Sequence, residues 1–90
     1  MTVEHDPAGH RFVADTPGGQ AELVYSFFTE TVLNIEHTEV PEALEGRGLA
    51  GRIVTTALDY ARAQNLKVLP ICPFAKSYIG RHREYQDLLA

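Results

Sequence analysis

Residues 37–52 read HTEVPEALEGRGLAGR, and inside this stretch the spacing of apolar residues changes. Before Pro41 apolar residues recur at every second position, as in a half-buried strand; after it they recur every three to four, as in a helix. Pro41 itself ends the strand, because it has no backbone donor for a ladder. On the helical side, Ala50, Ile53, Val54, Ala57, Leu58 and Ala61 form one stripe, with Arg52, Thr55, Asp59 and Arg62 opposite. The spacing predicts an amphipathic helix over 49–64, with Asn65 as a left-handed stop. Between strand and helix lies Glu45-Gly46-Arg47-Gly48-Leu49-Ala50-Gly51-Arg52, a turn with small residues at four of eight positions.

Working back towards the N-terminus, TVLNIEHTEV (31–40) and AELVYSFF (21–28) are rich in strand formers, with Thr29-Glu30 as a tight connection. Leu23, Tyr25 and Phe27 share one face, and Val24 and Phe28 the other. His10 to Asp15 alternates Phe12 and Ala14 with Arg11, Val13 and Asp15. Thr16-Pro17-Gly18-Gly19 is a turn in which Pro17 presets φ and Gly18 accepts a positive one. These segments predict a three-stranded antiparallel meander, and residues 1–9, which show no periodicity, a flexible N-terminus. Working forward, VLPIC (68–72) is a short apolar run, read as a fourth strand covered on both faces, parallel to the third and joined to it across the helix. Pro70 requires an edge, a bulge or a splay there. Pro73 suits the first position of a second helix, in which Phe74, Ser77, Tyr78 and Arg81 share a face, and a last helical segment follows from Arg83 to Leu89. The class is α+β, in one domain over 10–90.

The chain has 90 residues, 44% of them hydrophobic and 22% charged, enough for one modest core that buries on the order of 9,000 Å². A single cysteine excludes an internal disulfide framework, and no apolar run reaches the roughly 18 residues of a membrane helix. With no export signal, the expected compartment is the cytoplasm. Residues 1–46 carry nine acids and one base, and residues 47–90 seven bases and three acids. Without a dense basic run, neither nucleic acid nor membrane is an expected partner.

The glycine-rich turn opens a helix, where unpaired N–H groups and the helix dipole favour an anion such as a diphosphate. Arg47 and Arg52 would add charge-assisted bonds if turned inward. The segment resembles the acyl-CoA loop of the GNAT superfamily of N-acetyltransferases: Gln or Arg, two of any residue, Gly, any residue, then Gly or Ala. Gly48 and Ala50 occupy the two small positions, whereas the first holds Glu45. HTEVPEALEGRGLA and KVLPICPFAKSYIGRHREYQDLL resemble in particular the short, single-domain YjdJ-type branch. The resemblance spans residues 10–89. It implies a minimal GNAT-like fold, acetyl-CoA as co-substrate where the third and fourth strands splay, and cofactor contacts from Val40, Arg47, Gly48, Leu49, Ala50, Gly51 and Arg52.

Acetyl transfer requires a base for the amine, donors for an oxyanion and an acid for the leaving thiolate. Candidate bases are Glu36, His37 and Glu39; His37 and Glu39 share a face, with Glu36 on the other. The resemblance favours Tyr78 as the acid, with Tyr85 second. Cys72, just before a helix, opens a ping-pong route through an acetyl-cysteine. His5, His10 and His82 lack partners at metal-ligand spacing, so no metal is expected. The leading reading is an N-acetyltransferase acting on a small amine, or on a lysine of a protein or peptide. Its alternative is a non-catalytic or weakly active acyl-CoA-binding module, and a third reading is an interaction domain with no cofactor. So short a chain leaves an open acceptor side that a second subunit, in a homodimer, or a protein substrate would complete.

Overall fold

The structure, a computed structural model, describes residues 2–90. Strands β1 (Glu4–Asp6), β2 (Arg11–Thr16), β3 (Gly19–Thr29) and β4 (Val32–Glu39) come first, followed by a 3-10 turn (Glu42–Leu44) and helix α1 (Leu49–Ala63). Strand β5 (Lys67–Pro70), helix α2 (Pro73–Arg81) and a 3-10 segment (Arg83–Leu88) complete the chain. The five strands form one sheet in sequence order, antiparallel except for the parallel pair β4–β5. This is the mixed α+β architecture that the sequence implies.

Period-two patterning produces a sheet with one buried face. Phe12, Ala14, Leu23, Tyr25, Leu33 and Val68 are all almost fully buried there. Against them pack Ile53, Val54, Ala57 and Leu58 of α1 and Ala75 and Ile79 of α2, in one core cluster. Helix α1 ends as expected on Asn65, whose φ is 57°. Leu66 N donates to Ala61 O at 2.8 Å and Asn65 N to Arg62 O at 3.2 Å, the paired bonds of a Schellman stop.

Five details differ from the sequence reading. Within residues 1–9, of which Met1 lies outside the described residues, Glu4–Asp6 form an edge strand on β2. Its three polar residues carry no alternation to read; the His5 ring holds it by stacking on Phe12, 4.2 Å away. In the β2–β3 turn the positive φ falls on Gly19, at 128°, one residue after Gly18. The β3–β4 turn is Glu30-Thr31 rather than Thr29-Glu30. Strand β5 is covered on one face only, because the core joins the helices to a single face of the sheet, and Ile71 is 59% exposed beyond its end. Finally, β4 contains a bulge: Tyr25 faces Ile35 and Val24 faces His37, so Glu36 drops out of register.

Candidate functional site

Strand β4 runs to Glu39, but its pairing with β5 stops at Ile35 opposite Pro70. Pro70 has no N–H with which to extend the ladder, and the chain turns away, leaving Cys72 N to donate to Ile35 O at 2.9 Å. The two strands therefore part beside residues 38–40. Beyond Pro41 the chain passes Gly46 (φ 81°) and Gly48 (φ 77°), a left-handed region that residues with a Cβ rarely enter. Gly48 is the N-cap of α1, without a side-chain cap. The helix's first bond is Arg52 N to Gly48 O, at 3.1 Å. The N–H groups of Leu49, Ala50 and Gly51 consequently have no acceptor within the helix. The three residues belong to the wall of a cleft of about 420 Å³ lined by Thr38, Val40, residues 44–46 and 48–51, and Phe74.

Of the expected cofactor contacts, Val40, Gly48, Leu49, Ala50 and Gly51 line this cleft. Arg47 and Arg52 do not; they line an adjoining hollow with Asp15, Pro17, Leu44 and Leu49. The ionisable side chain in the cleft lining is Glu45. A second hollow, lined by Gly48, Gly51, Arg52, Thr55, Thr56 and Tyr78, shares both glycines with the cleft.

The catalytic candidates are spread around this centre. Cys72 is buried at the N-cap of α2, with Sγ 3.7 Å from Oγ1 of Thr38, one side chain behind the cleft wall. The Tyr78 hydroxyl is hydrogen-bonded to Thr55 Oγ1 at 2.7 Å, and its ring stacks on His82 at 3.8 Å. A methyl group on Gly51 would come within 3.2 Å of that ring, so the glycine is what lets α2 close on α1 here. Tyr85, in the 3-10 segment, donates to Asp59 of α1 at 3.0 Å, and burial pushes its pKa up. His37 and Glu39 share a face as expected, and the cross-strand register adds Glu22. One donor atom from each of the three comes within 4.8 Å of the others, a possible cation-binding set that residue spacing along the chain could not show. Glu39 also lines a shallow hollow with Glu45, next to the cleft.

Thr38 and Phe74 are cleft residues that the sequence reading did not single out as contacts. Thr38 belongs to a strand whose parting from β5 is a tertiary event, and Phe74, 38% exposed, resembles any helix aromatic until the cleft is formed.

Comparison with known proteins places this fold and sequence in a family. Residues 11–88 match the family of GCN5-related N-acetyltransferases, and the chain belongs to that family. Among its relatives, protein NATD1 of Gallus gallus is 33% identical over 81 residues, covering 88% of this chain and 74% of that protein. Homo sapiens protein NATD1 is also 33% identical, covering 88% and 72% respectively. The NMR solution structure of a GCN5-like protein from Staphylococcus aureus aligns with a TM-score of 0.79 and 28% identity, over 99% of this chain and 87% of that one.

Proposed function

We propose that this chain binds acetyl-CoA in the cleft and moves its acetyl group to a primary amine. The observation that carries the reading is the uncapped first turn of α1, behind two left-handed glycines, opening where β4 and β5 part. The N–H groups of Leu49, Ala50 and Gly51 suit a diphosphate, which a helix start binds without a cationic side chain. The free edge of β4 at residues 38–40 offers backbone groups to the amides of a pantetheine arm, and Val40, Leu49 and Phe74 supply apolar wall.

In the transfer itself the amine nitrogen attacks the thioester carbon, the C–S bond breaks, the amine gives up a proton and the thiolate takes one. Glu39 is the proposed base, reached through water, because it flanks the cleft while His37 lies outside its lining. Tyr78 is the proposed acid, reached past Gly51, which lines both hollows. Cys72 sits behind Thr38 rather than in the lining, which favours direct transfer over an acetyl-cysteine. An acidic flank of Glu39 and Glu45 suits a cationic acceptor, a polyamine-like molecule or a lysine of a protein or peptide.

One observation favours the alternative of an acyl-CoA-binding module with little turnover: Glu45 sets a carboxylate beside the proposed diphosphate site. Calorimetric titration with acetyl-CoA should show binding that tightens in Glu45→Arg, and transfer to an amine panel should follow in the same protein. Binding without transfer selects the module, and no binding by either form overturns both readings.

A further inference from the structure

We infer that this chain recognises the ribose 3′-phosphate of coenzyme A in a separate hollow, between the β2–β3 turn and the start of α1. The inference rests on the acetyl-CoA reading above. The hollow measures about 400 Å³, and Leu44 and Leu49 belong to its wall and to that of the main cleft. A ligand whose diphosphate lies on the α1 start therefore meets this hollow next, without crossing another part of the surface.

Charge assigns the group that belongs there. The loop carries two guanidiniums, Arg47 and Arg52, and both line the hollow, whereas the cleft proper is lined by Glu45. Backbone N–H groups satisfy a diphosphate but offer no net charge to a third phosphate. A terminal phosphomonoester is close to dianionic at neutral pH and accepts bidentate bonds from guanidinium. Coenzyme A carries one such group, on its ribose. Pro17, Leu44 and Leu49 give the adjoining sugar and adenine an apolar floor. Asp15 opposes the phosphate from the same wall; its Oδ1 accepts a bond from Gln20 Nε2 at 3.0 Å. Lys76, Arg81 and Arg83, on or just after α2, line neither the cleft nor this hollow.

Coenzyme A and 3′-dephospho-coenzyme A differ only in this group, so calorimetric titration with both tests the inference. Wild type should bind coenzyme A about tenfold more tightly or better, the scale of a charge-assisted bond. Arg47→Ala and Arg52→Gln should each reduce that ratio while leaving the dephospho form unchanged. Asp15→Asn should widen it, and Lys76→Ala should leave it alone. Equal affinity of wild type for the two ligands overturns the inference and leaves the acetyl-CoA reading intact. So does an equal loss for both ligands in Arg47→Ala and Arg52→Gln, which would place the guanidiniums on the diphosphate. Failure to bind either ligand overturns both.

Discussion

At position 48 the site depends on a backbone angle. Gly48 has φ 77°, and an added Cβ would meet nothing within 4 Å, so a side chain there is costly through conformation alone. The left-handed region costs an ordinary residue about 1–2 kcal/mol, partly offset by the lower unfolded-chain entropy of alanine. Gly48→Ala should therefore lower the melting temperature by about 4–8 °C, the equivalent of about 1 kcal/mol in a chain this size. Gly48→Asn should lose less than half of that, since asparagine tolerates the same angle. Equal losses in thermal melts of the two variants would mean that a contact, not φ, is at stake. The loop's small residues were legible in the sequence because glycine spacing is itself the signal. The direction of Arg47 and Arg52 was not, since it depends on how the turn enters the helix. Nor was the placing of Glu36, because a bulge shifts everything on one side of it by a residue.

At the scale of elements, the strands and helices with an apolar period were legible and the one without a period was not. Strand β1 is Glu4-His5-Asp6, and its attachment is aromatic: His5 stacks on Phe12, meets the edge of Tyr60 at 4.5 Å and is hydrogen-bonded through Nε2 to the Tyr25 hydroxyl at 2.6 Å. Burial lowers the His5 pKa from its ordinary 6.5, outweighing the opposing effect of Asp6. The unfolded chain then holds more protons than the folded one below pH 6.5, so stability rises with pH through that window. His5's contribution is complete above 6.5 and is lost as pH falls from there through the lowered folded value. Asp6 works lower down: its bond from Arg11 depresses its pKa below 3.8, and its contribution is lost only as pH falls below 3.8. Between pH 7.5 and 5.5, wild type should lose more unfolding free energy in urea titrations than His5→Phe, which keeps the stacking and cannot titrate. An equal loss in both would remove His5 as the cause.

Across the whole molecule, the electrical split of the sequence becomes a split between layers. The acidic first half builds four strands of the sheet, and the basic second half builds the helices and β5. One core joins the layers, and Leu49, which lines the cleft, belongs to it with Leu23 of the sheet and Leu58 of α1. Such a chain holds about 5–13 kcal/mol of net stability. Leu58 is fully buried, and Leu58→Ala removes about 2–5 kcal/mol of transfer and cavity energy. The melting temperature should fall by at least about 8 °C. Since the sheet and helix layers share that core, the loss should be felt by both at once. Tyr25 reports from β3, and Tyr60 and Tyr78 from the helices, so near-ultraviolet circular dichroism follows tertiary packing while the far-ultraviolet signal follows the backbone. The two melts should coincide in wild type and shift together in Leu58→Ala, as they do for a two-state domain. Curves that separate in the variant would show that tertiary packing, and the cleft with it, is lost before the backbone structure.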